Sequence, residues 1–222
     1  MFVARTAELE KLTEITDRQR SSFVALYGRR RIGKTVLVRQ FVKQNRLNAF
    51  EFSGRYDQSK AQIIRSFVRS IKLLFKHNNN NPITDWNAAF GLLIDYLKSL
   101  DNQTKTVVFL DELPWIDTAK SGFLAELAEF WNNFCARKQN IILIVCGSAA
   151  SYMLKKVIHN KGSLHGRLTD IIPLQQFDLN ASKQLLSSQG CQYSDKTIVD
   201  TYMLLGGVAK YLESLNCQLT PA

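Results

Sequence analysis

Gly28-Arg-Arg-Arg-Ile-Gly33-Lys34-Thr35 stands between an apolar run, Phe23-Val-Ala-Leu-Tyr27, and a segment of helical character from Val36 to Val42. No other feature constrains the fold as much, because Gly-x4-Gly-Lys-Thr at a strand-to-helix turn is the pattern of a phosphate-binding loop. Two glycines let the backbone curl until successive N–H groups point inward, making an anion nest at a helix N-terminus. The candidate nucleotide contacts are Gly28, Arg29, Arg30, Arg31, Ile32, Gly33, Lys34, Thr35 and Val36. Lys34 reaches the β- and γ-phosphates as a point charge, and the Thr35 hydroxyl is a ligand for Mg²⁺. Arg29, Arg30 and Arg31 either raise the local potential for nucleotide or are simply exposed charge.

Lys105-Thr-Val-Val-Phe-Leu110 reads as a buried strand ending in Asp111-Glu112-Leu-Pro-Trp115. A fully apolar strand that delivers a carboxylate at its C-terminal end is how a parallel sheet sets an acid beside a neighbouring phosphate loop. Asp111 is the expected metal-holding acid, and Glu112 the general base that polarises water. Pro114 is predicted to stop the strand and hold Leu113 extended. A third apolar run, Asn140-Ile-Ile-Leu-Ile-Val-Cys146, ends in Gly147-Ser148 and is expected between the other two. Ser148 either senses the γ-phosphate and lytic water or caps a helix over Ala149–Ile158, and the two roles are compatible. No Asn/Thr-Lys-x-Asp segment for guanine is present; Asn160-Lys161-Gly162 lacks the acid. The extra strand Asn48–Ser53 between loop and acid marks the branch of ATPases with a catalytic glutamate, so ATP or ADP is the expected nucleotide.

The coarse reading alternates. Helices are predicted over Ala7–Asp17, Lys34–Gln44, Ser59–Lys76, Asp85–Ser99 and Thr118–Arg137, the last with Leu124, Leu127, Ala128, Trp131 and Phe134 as its buried stripe. Strands are predicted over Phe23–Tyr27, Asn48–Ser53, Thr106–Leu110, Ile141–Cys146 and Asp170–Leu174. The Asn78–Asn81 run before Pro82 reads as a loop. Alternation of this kind implies an α/β P-loop NTPase core, a parallel sheet flanked by helices. After Phe177 only helices follow (Ala181–Ser188, Asp195–Leu205, Val208–Leu215), so the expected division is a core at 1–176 and a small helical lid at 177–222.

With 222 residues, 45% hydrophobic and 22% charged, the chain has the composition of a soluble globular domain. No apolar stretch is long enough for a membrane span. Met1-Phe-Val-Ala-Arg5 lacks a signal-peptide pattern. Cys135, Cys146, Cys191 and Cys217 show no CxxC, and His77, His159 and His165 have no metal spacing. The plain expectation is a cytoplasmic protein with reduced, buried thiols. The net charge of +10 attracts polyanions. On the helix over Ser59–Lys76, Arg65, Arg69, Lys72 and Lys76 recur at helical spacing, opposite Ile64, Phe67, Val68, Ile71 and Leu74. That basic face is either solvated surface, the simpler reading, or a DNA contact.

Several of these segments together resemble one family. They are Phe2-Val-Ala-Arg5 with Glu8-Leu9, the Gly28–Thr35 loop, Asp111-Glu112-Leu-Pro-Trp115, Cys146-Gly-Ser148 with Ser151 and Met153, Leu164-His-Gly166-Arg167, and Leu205-Gly-Gly207. In this order, nearly end to end, they look like the archaeal-type ATPases, in the STAND-like branch of the AAA+ proteins. The resemblance implies an α/β core, a helical lid and a nucleotide clamped between them. Longer members continue into a winged helix and often a nuclease-like domain; Thr220-Pro-Ala222 falls inside or just past the lid, implying a short member or part of a longer protein. By resemblance, Arg5 lies in the N-terminal motif near the adenine, with Ala4 where the family has a turn-forming glycine. Arg167 matches the arginine finger, a permanent charge that binds phosphate oxygens in cis or from a neighbour; the alternative is a salt bridge to Asp170 or another core acid. Gly207 belongs to the Gly-Gly-x-Pro lid motif, with Ala209 in place of the proline.

The expected activity is ATP binding and slow hydrolysis used as a conformational switch, with Lys34, Glu112, Ser148 and Arg167 as the working side chains. Beside ATP, self-association and DNA bound through the basic surface are the two candidate partner relations, and no membrane is involved. The alternatives are a DNA-associated ATPase working with a nuclease-like partner, and a module that holds nucleotide without turnover.

Overall fold

Five strands, Ser22–Tyr27 (β1), Asn48–Ser53 (β2), Thr106–Asp111 (β3), Ile141–Gly147 (β4) and Asp170–Pro173 (β5), form one sheet in the order β2-β3-β4-β1-β5. Every pairing is parallel. The computed structural model describes residues 2–76 and 82–218. The predicted Asn78–Asn81 loop, His77 and the Thr220–Ala222 end therefore lie outside the described residues.

The central strands are apolar between their end residues because both their faces are covered; β3 and β4 are buried throughout. One face packs Phe23, Phe50, Val108, Leu110, Leu143 and Val145 against Lys60–Leu74 (α3), Trp86–Ser99 (α4) and Phe123–Glu129 (α6), with a cluster of aromatic rings around Phe67, Trp86 and Phe90. The other packs Val24, Leu26, Val107, Ile142 and Ile144 against Thr6–Thr16 (α1) and Lys34–Gln44 (α2). Leu179–Ser188 (α8), Asp195–Leu205 (α9) and Ala209–Glu213 (α10) make a separate apolar cluster that includes Val3 and Ala4.

Several boundaries differ from the sequence expectation. Leu113–Ile116 is a short helix (α5), so Pro114 does not hold Leu113 extended. Proline in a first helical turn removes an N–H that has no intrahelical partner anyway, and its fixed φ suits that position. The helix predicted from Thr118 starts at Phe123 and leaves α geometry at Phe130, where a π turn and then a 3-10 turn carry it to Arg137. Ala150–Tyr152 (α7) likewise runs into a π turn to Ile158. Leu74 does not belong to the buried face of α3: it is 54% exposed, and the face is Ile63, Ile64, Phe67 and Ile71. Cys191 and Cys217 are disulfide-bonded, which corrects the expectation of four reduced thiols. The fold brings the residue after the α8 turn and the segment after α10 together, a proximity no spacing rule reveals. Cys135 and Cys146 are free and buried as expected.

Asp170 opens β5 and receives both guanidinium nitrogens of Arg18, at 2.5 and 2.9 Å. Burial would raise its carboxyl, but the hydrogen bonds from Arg18 and Thr169 and the nearby positive charges outweigh this and hold it below the ordinary range. A depressed folded-state pKa stabilises the fold above the unfolded value, and that stability is lost as pH falls through the folded one. Wild-type protein is thus expected to lose unfolding free energy below about pH 4, and Asp170→Asn to lack that part of the acid dependence. Denaturant titrations from neutral to acid pH check this; identical profiles would refute it.

Candidate functional site

The phosphate loop leaves β1 at Tyr27 and enters α2 at Lys34. Glycine is required at both ends for different reasons. A Cβ on Gly28 would lie 2.2 Å from the Leu174 carbonyl oxygen, and Gly33 has φ +96°. Helices α3, α4, α8 and α9 each begin with a Ser or Asp side chain accepting a backbone N–H. Helix α2 begins at Gly33 with no such cap and no acid in its first turn. Its first N–H groups and positive dipole end therefore remain directed at the loop, as an anion site needs.

Side chains converge there from the start of α2 and from the ends of β3 and β4. Lys34 is buried, and its Nζ donates to the carbonyls of Gly28 and Arg29 at 2.9 and 2.8 Å. Thr35 Oγ1 donates to Asp111 Oδ2 at 2.6 Å, joining the start of α2 to the end of β3. The other oxygen, Asp111 Oδ1, accepts the Glu112 N–H at 2.9 Å. Glu112 has φ +51°, an uncommon conformation for a side chain with a Cβ and one that concentrates at functional sites. Ser148, just beyond β4, donates to Glu112 Oε2 at 2.8 Å. Ser148 does not cap the helix that follows, whose N-cap is Ala149 without a side-chain bond. The strand order carries this geometry: β4 lies between β1 and β3, so its end faces both the loop and the acids. Beneath them, burial first and the Asp111 charge second push the Cys146 thiol up, leaving it neutral.

The remaining sequence candidates fall in distinct places. Ile32 is buried in the α1–α2 core, so only its backbone is available to a ligand. Arg29, Arg30 and Arg31 are exposed. Arg30 stacks on Trp115 at 4.8 Å, and Arg31 lies 5.5 Å from the Tyr211 ring. Val36 is 51% exposed at the mouth of the site. Ala4 adopts φ +53°, so the N-terminal turn forms without the family's glycine. Arg5 is buried and already engaged: it donates to Glu8 at 3.0 Å, to the Ile32 carbonyl at 3.2 Å and to the Gln175 carbonyl at 2.6 Å, and stacks on Phe177 at 4.4 Å. It braces the phosphate loop against the start of the helical segment. Arg167 is exposed and not paired with Asp170, which Arg18 holds.

Gly207 faces the Phe177 backbone; a Cβ there would meet the Phe177 carbonyl oxygen at 1.7 Å, and Phe177 N–H donates to the Gly207 carbonyl at 2.8 Å. Gly207→Ala must part the two segments of this joint. The expected cost is about 1–3 kcal/mol of stability, with weakened nucleotide binding, read by denaturant unfolding and a binding titration; unaltered values in both would refute the joint's importance. Past the joint, Lys210 N–H donates to the Arg31 carbonyl at 3.1 Å, which docks α10 on the phosphate loop. A cleft of about 230 Å³ lies between them, lined by Gly33, Lys34, Thr35, Glu112, Lys210 and Glu213 among others. It adjoins a slot of about 40 Å³ lined by Phe2, Arg5, Ile32, Phe177, Leu185 and Ala209. Lys210 and Glu213 were not legible as site residues, since only their neighbours carried a motif; Trp115 stood in the acidic motif but with no role assigned to it.

A family model described as an ATPase domain predominantly from Archaea matches residues 2–215. An uncharacterized protein of Methanocaldococcus jannaschii is 26% identical over 216 residues, 97% of this chain and 44% of its own length. An uncharacterized ATP-binding protein of Pyrococcus abyssi is 26% identical over 234 residues, covering 97% of this chain and 69% of that protein. The chain thus spans less than half of the first relative's length. Among solved structures, the Walker-type ATPase of Pyrococcus abyssi superposes with a TM-score of 0.65 at 19% identity, over 95% of this chain and 65% of that one. The Aeropyrum pernix ORC2 protein does so with a TM-score of 0.62 at 17% identity, over 87% and 55%. Both share the P-loop NTPase fold with this chain.

Proposed function

Since the chain belongs to the family of ATPase domains found predominantly in Archaea, we propose that it binds ATP between the phosphate loop and the C-terminal helices and hydrolyses it slowly as a conformational switch of the STAND type. One observation carries the reading: the 2.6 Å contact between Thr35 and Asp111, with Glu112 and Ser148 joined beside it. Relatives named as ATP-binding proteins support the choice of nucleotide.

Thr35 and Asp111 would hold Mg²⁺. Their hydroxyl and carboxylate oxygens are the hard donors this ion takes, and it needs few of them beside phosphate and water. Among the described residues no cluster of three or more His, Cys, Asp or Glu suited to a metal occurs, which agrees with so sparse a ligand set. When bound, the ion would supply charge neutralisation for the phosphate tail. The protein's own groups do the rest. The loop amides and Lys34 bind the phosphate tail. Glu112 orients a water and takes its proton, and Ser148 fixes which way that carboxylate faces.

The helices after residue 176 act as a lid. The slot beside Arg5 and Phe177 has room for a few waters but not for a purine. A base entering it must therefore move α8 and α10 outward, and this couples binding to motion at the Gly207 joint. Arg167 sits on the loop entering β5, where Thr169 N–H meets the Phe23 carbonyl. The phosphate loop leaves the same strand at Tyr27, about 13 Å further along at roughly 3.3 Å per residue. That separation favours a neighbouring copy's nucleotide as the target of Arg167, hence self-association, and the proposed setting is the cytoplasm. No helix among the described residues is long and apolar enough to cross a membrane.

Phosphate release from ATP and GTP, followed over a range of protein concentrations, tests the reading. The expected result is Mg²⁺-dependent release from ATP, with a rate per molecule that rises with concentration and does not rise in Arg167→Ala. Release no faster than that of Lys34→Ala would replace the switch by a nucleotide-holding module.

A further inference from the structure

The edge strand β2 and helix α3 frame one groove, and α3 and the segment Pro82–Thr84 frame a second. One, of about 490 Å³, is lined by Ser53, Arg55, Gln58, Ser66, Arg69 and Ser70 among others. The second, of about 550 Å³, lies where Arg65, Arg69 and Lys72 stand over Val68, Pro82 and Ile83. Arg69 lines both, so the basic side chains of the two grooves form one row across α3, a track of positive charge. From Lys60 to Lys76 the chain carries Lys60, Arg65, Arg69, Lys72 and Lys76 and no acid. Arg55, Arg65, Arg69 and Lys72 are exposed and make no ion pair with any described residue.

The acids bordering the track do little to cancel this charge. Glu51 is held by Arg39 at 2.6 Å, and the Asp85 carboxylate caps α4. Of these neighbours, Asp57 alone is uncommitted. A solvated helix face accounts for the lysines and arginines of α3. It does not account for the concave, hydroxyl-lined floor, nor for Tyr56, which is 78% exposed next to Arg55. The Tyr56 ring packs edge-on against Trp115 at 6.0 Å, and Trp115 in turn carries Arg30. An open aromatic face at the end of a basic track offers a base something to stack on, and the track offers its phosphates counter-charge. In a duplex the bases already stack on one another, so the platform selects an unpaired strand.

We propose that the β2–α3 face binds single-stranded nucleic acid, with phosphates along Arg55, Arg69, Arg65 and Lys72 and a base on Tyr56. This binding does not depend on the ATP-hydrolysis reading and is measured without nucleotide. The probes are fluorescein-labelled dT and rU 20-mers and a 20-base-pair duplex, followed by anisotropy between 50 and 300 mM salt. Wild-type protein is expected to prefer the single strands and to weaken steeply with salt. The Arg55→Glu/Arg69→Glu double variant is expected to bind about tenfold more weakly or worse, with a salt slope shallower by about 0.7 for each phosphate that is no longer neutralised. Tyr56→Ala is expected to cost about fivefold or more on single strands while leaving the slope unchanged. Both substitutions are at exposed positions, so an unshifted thermal unfolding midpoint separates a lost groove from a damaged fold. A dT or rU preference shows that the 2′-hydroxyl or the base methyl is read as well, and equal binding means that only phosphate and base face are read. No binding at 50 mM salt, wild-type affinity in the unshifted double variant, or duplex binding as tight as single-strand binding and indifferent to Tyr56→Ala overturns the proposal.

Discussion

Lys34→Ala is expected to lose ATP binding by about a hundredfold or more, as when one partner of a buried charged contact is removed. The Lys34 ammonium is buried inside the loop, whereas Arg29, Arg30 and Arg31 all lie exposed around it. Its Nζ lies against the carbonyls of Gly28 and Arg29, so it sits at the floor of the curl proposed to receive phosphate. An exposed arginine does not replace it, because screening by water reduces a charge outside far more than one within. Titration with a fluorescent ATP analogue gives the affinity, and an unfolding curve establishes that the variant is folded. A folded variant that keeps wild-type affinity would remove the loop from the binding site.

Glu112→Gln is expected to separate binding from turnover. The amide keeps the size of the carboxylate and still accepts the Ser148 hydroxyl at its oxygen, so ATP affinity should remain within about threefold. The amide takes no proton from water, and phosphate release should fall by about 10²–10⁴-fold. Ser148→Ala makes the informative companion. It leaves the base in place but frees its orientation, and the loss should be smaller, about tenfold. Single-turnover phosphate release reads all three proteins. Unchanged release in Glu112→Gln would remove that residue from the base role, whatever the behaviour of Ser148→Ala.

What could be read in the chain divides by the range over which each signal acts. The loop, the Asp111-Glu112 pair and the strand positions are written locally, in spacing and apolar runs, and they appear within a residue or two of where they were expected. The Ser148–Glu112 contact joins residues 36 apart. It was within reach of inference because the order of parallel strands fixes which strand ends meet. Arg5 shows the limit of a motif. Its place in the N-terminal motif was legible, but its work, bridging the Ile32 and Gln175 carbonyls, depends on residues distant in sequence. Pro114 was misread because the same ring that ends a strand also suits the first turn of a helix, and the choice rests on the left-handed Glu112 before it. The Cys191–Cys217 bond was invisible because the turn after α8 and the segment after α10 approach only once three helices have packed.

The interior position of β1, between β4 and β5, has a further consequence, for the order of assembly. This strand is made early, yet its neighbours are Ile141–Gly147 and Asp170–Pro173, far later in the chain. During synthesis its edges wait unpaired for more than a hundred residues, and closing such distant contacts costs loop entropy before any pairing rewards it. Slow maturation, with a window in which an apolar strand is open to self-adhesion or to a chaperone, is what this topology imposes on a nascent chain.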